Sequence, residues 1–368
     1  MIKAKIATLI ILIVLLIIII TLGVIWPIFG AQLVAATTIK KLDEGLYSMS
    51  YVGDYGFDGY LKQGGGSSAK EMANYIMNFL SGGFYNTESE NNITAEIGCS
   101  TITVKDPSGN MIFGRNYDWQ PCRAMIIHAK PINGYESIST SCIDFLGFGE
   151  NWAPDTSMGN RFMALAAVYV PLDGMNEKGL CIADLMAGDN DETHQETGKV
   201  DLTTTAAIRL ILDKAATVSE AIELLNGIDM HSDIGSAHHF AISDATGKSV
   251  VVEYIDNEMY VTDSISVTNH YLSDVPKKGT GSEQSHIRYE TLVERYQMLN
   301  GIMTEYEVKN ALSSVSQSNF ETSKSVTVWS IIYLPEYKSI MFYYKENFDE
   351  PYHIKIVDFE IRKNSNEI

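Results

Sequence analysis

An α+β layered sandwich of antiparallel sheets, preceded by a transmembrane helix, is the fold class that this 368-residue sequence predicts. Three observations carry it. A charge-free apolar run occupies Ile6 to Phe29, helical patterns stand singly or in pairs among strand patterns, and from residue 99 the chain repeats strand, tight turn, returning strand. Hairpins grouped around helices suit antiparallel layers, whereas a parallel sheet would alternate strand and helix throughout.

The apolar run is long enough to cross a hydrocarbon core of about 30 Å at ~1.5 Å per residue. Lys3 and Lys5 precede it and no basic cluster follows at once, so the positive-inside rule anchors the chain in the cell membrane through 6–29 and places residues 30–368 outside. A cleavable signal has a shorter apolar core, about 7–15 residues. The small residues of GAQLVAATT at 30–38 could still admit a signal peptidase and release the protein.

Composition bounds the rest. With 45% hydrophobic and 20% charged residues the chain can build a large core. A formal net charge of -19 excludes nucleic acid as a partner, since phosphates demand a basic surface. The acidity reads as a solvated exterior.

Three segments are expected: an anchor over 1–29, a prosegment or small subunit over 30–98, and the main domain over 99–368. In the second, Ser68 and Glu71 have capping-box spacing, and Met72, Tyr75, Ile76, Phe79 and Leu80 recur with helical period before Gly82 and Gly83 end the helix. One amphipathic helix must bury its stripe on a domain, a membrane surface or a partner.

The main domain opens with a hairpin, STITVK, turn DPSGN, MIFGRNY. A second hairpin is expected from RFMALAAVYVPL, turn DGMNEKG and LCIADLMA, followed by helices over 205–216 and after the Thr217/Glu220 cap. HHFAISD, turn ATGK, SVVVEYI and EMYVTDSISVT continue the sheet. Helices over 285–300 and, capped by Thr304 with Glu307, over 304–313 precede the closing strands SVTVWSIIYL and SIMFYYK. No phosphate loop, dinucleotide fingerprint, heptad run or metal-ligand spacing occurs, so no cofactor and no metal are expected.

Four cysteines, Cys99, Cys122, Cys142 and Cys181, are too few and too scattered for a disulfide framework. Cys122 and Cys142 could pair outside the cell; sequence leaves this open. Cys99 differs in its neighbours. A turn centred on Pro107, Ser108 and Gly109 sets Lys105 opposite Met111 and Thr101 opposite Arg115, which returns Arg115 and Asp118 beside Cys99. Alternation lets Arg115 share the face of the thiol and sends Asp118 to the strand end, near the Cys99 backbone nitrogen.

That division suits an N-terminal nucleophile. If the chain is cut before Cys99, its α-amino group, with a reference pKa of about 7.7–8.0, can take the thiol proton. Arg115 then favours thiolate and Asp118 orients the amine. The blander alternative is a structural ion pair beside a small buried cysteine. His238 and His239 could instead supply a papain-like base, but adjacent strand residues face opposite ways, so at most one could reach a site.

The stretch GCSTITVKDPSGNMIFGRNYDW at 98–119 resembles the start of the mature chain in the choloylglycine hydrolase family of N-terminal nucleophile hydrolases, which includes bile salt hydrolases and penicillin V acylases. It is similar, too, to the processed subunits of acid ceramidase and of N-acylethanolamine-hydrolysing acid amidase. Cys99, an arginine sixteen residues on within GRN, and an aspartate nineteen residues on match the family spacing. DGMNEKGL at 173–180, Asn269 in SVTNHYL and Arg288 in HIRYETL continue the likeness.

The resemblance implies a four-layer αββα sandwich and autoproteolysis between Gly98 and Cys99. It implies hydrolysis of a linear non-peptide amide C–N bond through a thioester on Cys99, with Asn269 and a backbone N–H, that of Met186, holding the oxyanion and Arg288 supporting the nucleophile. Where bile salt hydrolases carry an asparagine, this chain has the run Ala183, Asp184, Leu185, Met186. With the long segment before Cys99, closer to the acid ceramidase type, this favours an N-acyl amide with an apolar acyl group over a conjugated bile salt or penicillin V. In that type the cleaved prosegment stays bound as a small subunit. Two alternatives remain at this stage: acyl transfer to an amine acceptor, as in penicillin acyltransferases, and a non-catalytic membrane-anchored ectodomain on the same fold.

Overall fold

The computed structural model describes residues 2–21, 23, 26–82, 98–149, 151–189, 191–233, 235–318 and 325–363. Gly83 lies outside these. Helices α1 (Ile2–Ile20) and α2 (Trp26–Thr38) open the chain. The apolar run is therefore shared between two helices. The charge-free part of α1, Ile6–Ile20, rises about 22 Å at ~1.5 Å per residue, short of the ~30 Å of a hydrocarbon core. Its side chains from Leu9 to Ile20 are exposed. Helix α2 packs on the domain instead, with Ala35 and Ala36 in the core.

Among the described residues no helix is long and apolar enough to cross a membrane. The expected transmembrane helix at 6–29 is thus corrected, and the membrane partnership and the cell-membrane localisation with an extracellular domain go with it.

Strands β1 (Lys40–Asp43) and β2 (Leu46–Val52) and helices α3 (Phe57–Lys62) and α4 (Ala69–Ser81) follow. Ser68 caps α4 by accepting from the Glu71 N–H, and Gly82 closes it at φ 64°, a conformation that favours glycine. Met72, Ile76 and Leu80 bury the stripe read from the sequence.

The first hairpin is β3 (Ser100–Lys105) and β4 (Met111–Trp119). Its register is Lys105 with Met111 and Thr101 with Arg115, as the turn residues required. Asp106 sets the turn by accepting from the N–H groups of Ser108 and Asn110. Strands β5 (Ala124–Lys130) and β6 (Ser137–Cys142) come next.

The expected strand RFMALAAVYVPL is instead helical: α5 (Met158–Ala164), capped by Ser157, runs into a tight 3₁₀ segment over Leu165–Tyr169. A continuous apolar run has no period to separate strand from buried helix, and this one is buried all round. The second hairpin is shorter as a result, β7 (Asp173–Asn176) and β8 (Cys181–Met186). Then come β9 (Val200–Thr203), α6 (Thr204–Lys214), α7 (Val218–Asn226), β10 (Ile228–His231), β11 (His238–Ser243), β12 (Ser249–Ile255), β13 (Glu258–Asp263) and β14 (Ser266–Val267). Helices α8 (Glu283–Met298) and α9 (Glu305–Ser314) precede β15 (Val326–Leu334), β16 (Ser339–Tyr344), β17 (Tyr352–Lys355) and β18 (Glu360–Lys363).

Two sheets result. One runs β1-β2-β5-β6-β7-β8-β11-β12-β13, the other β14-β3-β4-β15-β16-β17-β18. Both are antiparallel except where β2 lies parallel to β5; β9 and β10 form a separate parallel pair. Three apolar clusters separate the layers. The first joins α2, α4, α6 and α7 to the nine-stranded sheet, the second lies between the sheets, and the third joins α8 and α9 to the seven-stranded sheet. This is an αββα order.

Alternation along β4 then decides the site. Phe113, Tyr117 and Trp119 enter the core between the sheets, so Arg115 does too. Ile112 and Asn116 face the outer helices, where the Asn116 Nδ2 donates to the Leu312 carbonyl, so Asp118 faces them as well. At Gly114 a Cβ would come within 2.9 Å of Val308 Cγ1, which is why α9 can lie so close.

Candidate active site

Cys99 sits just before β3 with its side chain in the core between the sheets, 2% exposed. Arg115, three positions before the Asp118 that ends in the other layer, reaches across the same face: its Nη2 lies 3.9 Å from the Cys99 Sγ. Two carbonyl acceptors and one ion pair hold the guanidinium there. Nη2 donates to the Asp184 carbonyl at 2.8 Å, Nη1 to the Leu172 carbonyl at 2.5 Å, and Nε lies 3.2 Å from the Asp173 carboxylate.

Asp173 is itself fixed, accepting from Trp329 Nε1 at 3.0 Å and from the Tyr333 hydroxyl at 2.8 Å, with Thr140 donating to it as well. Burial works most strongly against the charge of Arg115, but Asp173, Cys99, Tyr333 and Asp184 together outweigh it and raise the pKa above the ordinary arginine value. A permanent cation therefore faces the sulfur. Burial nonetheless pushes the thiol up to about 11, with Arg115 pulling it down and Asp118 pushing it up. In the uncut chain this sulfur is a neutral thiol at pH 7.

The backbone of Cys99 is held from the other side. Its N–H donates to Asn269 Oδ1 at 2.6 Å, and its carbonyl accepts from Arg288 Nη1 at 2.5 Å. Asn269 follows the short strand β14, which pairs with β3, and Arg288 projects from α8. Arg288 Nη2 donates to the same Asn269 Oδ1 at 3.0 Å, which fixes the amide so that its Nδ2 donates to the Met186 carbonyl at 2.9 Å. Met186 thus presents a carbonyl here, where the sequence pointed to its N–H.

Asp118 lies in this second half. Its Oδ1 accepts from the Thr327 hydroxyl at 2.6 Å, while Oδ2 is 3.6 Å from Arg288 Nη1 and has no hydrogen bond among the described residues. Burial pushes this carboxyl up to about 7, against the pull of Arg288 and the Thr327 bond. Burial likewise lowers the pKa of Arg288, with Asp118 pulling it back up. The Cys99 nitrogen finds Asn269 rather than the Asp118 carboxylate expected beside it.

Gly98 is buried too. A Cβ there would collide with the Gln317 side-chain nitrogen and come within 3.2 Å of Arg288 Nη2. Gln317 is clipped in place by two bonds with Thr327, the residue that also holds Asp118.

The structure thus gathers Gly98, Cys99, Arg115, Asp118, Met186, Asn269 and Arg288 around one peptide unit. Sequence reasoning missed Asp173, Thr327 and Gln317. A buried arginine requires a counter-ion, and that requirement alone could have drawn attention to the carboxylate heading DGMNEKGL. His238 is held by Asp184 at 2.9 Å, and His239 by Glu253 and the Thr268 carbonyl. Cys122, Cys142 and Asp144 lie close enough to hold a metal ion together, but Asp144 is engaged by the Arg123 side chain and N–H.

No curated protein matches the chain. Among solved structures it is similar to a mutant of conjugated bile acid hydrolase from Clostridium perfringens, at 18% identity and TM-score 0.54, over 73% of this chain and 97% of that one. A second variant of that hydrolase matches at 18% identity and TM-score 0.53 with the same coverage. Penicillin V acylase from Agrobacterium tumefaciens matches at 17% identity and TM-score 0.47, over 66% of this chain and 82% of that one. At such identities the bile acid hydrolase structures speak for the fold alone, an α+β sandwich. Residues 99–271, from Cys99 to just past Asn269, match the model of the linear amide C–N hydrolases, choloylglycine hydrolase family.

Proposed function

We propose that the protein is a cysteine-dependent amidase that cuts itself between Gly98 and Cys99 and then hydrolyses a linear, non-peptide amide. One observation carries this: four separate groups converge on Cys99, with Arg115 at its sulfur, Asn269 at its nitrogen, Arg288 at its carbonyl and Gln317 against the preceding glycine. A structural cysteine needs no such attention. Among the described residues, the sulfur of Cys181, equally buried in β8, makes a hydrogen bond only with the Gly179 carbonyl.

The scissile peptide is enclosed, which favours the chain's own thiol over an outside protease. In the cut, the Cys99 sulfur adds to the Gly98 carbonyl, the C–N bond breaks as the thioester forms, and water hydrolyses the thioester. A Gly98 carboxylate, a free thiol and a Cys99 ammonium result. Deprotonated, that amine supplies the base that the neutral thiol lacks. On a substrate the thiol passes its proton to the amine and attacks the carbonyl, the amine returns the proton to the leaving nitrogen, and the same amine activates water for deacylation. Arg115 favours the thiolate, and Asn269 keeps the amine within reach of the sulfur. After cleavage, the Asn269 Nδ2, which in the uncut chain donates to the Met186 carbonyl, turns to the oxyanion, a donor worth about 10²–10³ in rate in other enzymes.

Cys99 belongs to an apolar cluster between the sheets that includes Tyr117, Trp119, Leu172, Leu185 and Trp329. Such surroundings suit an N-acyl amide with an apolar acyl chain, with segment 30–98 retained as a small subunit. The test is N-terminal sequencing of full-length protein and of Cys99→Ala, with release of amine from N-acyl amides of increasing chain length, a conjugated bile salt and penicillin V. Two fragments, the larger starting at Cys99, and activity only in the cut protein are expected. Intact protein that hydrolyses amides, or an active Cys99→Ala variant, overturns the assignment.

A further inference from the structure

Beyond the groups that touch Cys99, two histidines meet in a way their hydrogen bonds do not satisfy. His194 lies in the stretch after β8 and His231 ends β10, and the two residues form an isolated antiparallel bridge. Their Nδ1 atoms face each other at 3.4 Å. On the outer side of each ring the Nε2 meets a carboxylate: Glu192 at 2.7 Å from His194, and Asp201 at 2.8 Å from His231.

Those two carboxylates fix the protons. An ionised carboxylate only accepts, so each Nε2 must carry the hydrogen, and in a neutral imidazole the Nδ1 is then a lone pair. Two lone pairs cannot hydrogen-bond to each other. A cation between them removes the conflict.

The separation says which kind. Two nitrogens on a tetrahedral zinc ion, each at about 2.0–2.1 Å, stand about 3.3–3.4 Å apart. A histidine ligand that donates its other N–H to a carboxylate is also the usual way a metal site orients its rings and raises their basicity. His231 is nearly buried in the folded frame, whereas the His194 side chain is half exposed and lines an open cavity of about 550 Å³ with Asp191, Glu192 and Lys277. An ion has a path in, and water can complete its coordination.

We propose that His194 and His231 are the protein ligands of a zinc ion that staples the stretch after β8 onto β10. The site is separate from the amidase chemistry and does not depend on it. It would brace the chain that leaves Met186, whose carbonyl holds Asn269.

The test uses full-length protein with zinc alone as the probe, read by calorimetric titration and by the melting temperature. Tetrahedral cobalt serves as the spectroscopic reporter. Wild type should take up one ion through these two residues, melt higher with zinc, and with cobalt show tetrahedral visible bands in which His194→Ala and His231→Ala are deficient. Asp201→Asn and Glu192→Gln should weaken zinc binding by about 10–100-fold while leaving the ligands in place. Should His231→Ala fail to fold, His194→Ala on the exposed side still decides the matter. Zinc uptake unchanged in His194→Ala, signals only from sulfur-to-cobalt bands, or no response to zinc in the wild type with a proton shared between the rings would each overturn the proposal.

Discussion

Arg115 and Arg288 both reach Cys99, and they are held in opposite ways. Arg115 is fully enclosed between the sheets, with Asp173 against its Nε and two carbonyls on its other nitrogens, and its charge is firmer than that of a free arginine. Arg288, on the helix side, has a carboxylate only at 3.6 Å, and the charged forms of both Arg288 and Asp118 are disfavoured by burial. The thiol side is a closed electrostatic unit. The backbone side is under-compensated, and it is there that a proton can be gained or lost near neutral pH.

The hardest blow to this contrast falls on the closed unit. Asp173→Asn leaves a buried guanidinium without its counter-ion, which costs about 3–5 kcal/mol where a buried pair is broken from one side. A large drop in denaturation midpoint and loss of amidase activity are expected. Stability close to wild type would mean that the carbonyls alone hold Arg115.

Next in size is Gly98→Ala. Its Cβ displaces the Gln317 side chain and crowds Arg288, so conversion to two fragments, followed on a denaturing gel, should slow by an order of magnitude or more, roughly 1.4 kcal/mol of barrier per tenfold. Gln317→Ala in the same background should restore part of the rate. Unchanged conversion in the single variant would show that the side chain simply swings aside.

The backbone side is probed by pH. Asp118 has a folded pKa of about 7 against an ordinary 3.8, so between those values the folded state holds a proton that the unfolded state has lost. Its contribution is full below about pH 4 and is lost as pH rises through 7. Asp118→Asn should flatten that part of the stability profile; an identical slope in both proteins would remove the contrast with Arg115.

The smallest effect is expected away from both arginines. Thr304→Ala removes a complete capping box at the start of α9 and should cost about 1 kcal/mol while leaving cleavage untouched. A change in cleavage would tie α9 to the site through Asn116.

Legibility followed the same division. Cys99, Arg115 and Asp118 could be placed from one turn, because a five-residue connection fixes register and register fixes faces. Asn269 and Arg288 came from resemblance, since nothing within a hairpin says which strand or helix will lie beside it. Asp173 escaped because its role depends on the facing sheet. The run at 161–172 misled for a related reason: it is apolar at nearly every position, and only the space between the nine-stranded sheet and α6 makes it helical. The anchor misled because the apolar run was read as one helix, whereas its second part packs on β2 and α5.

By itself the sequence determined the hairpin, the caps at Ser68, Thr217 and Thr304, and the meeting of a cysteine with a guanidinium, because each depends on contacts within a few residues or across a single turn. Only the tertiary structure decided that the cation is locked by Asp173 while the carboxylate on the opposite face stays half-satisfied. Burial and counter-charge come from elements far apart in the chain, and the free energy of a buried charge depends on all of them together.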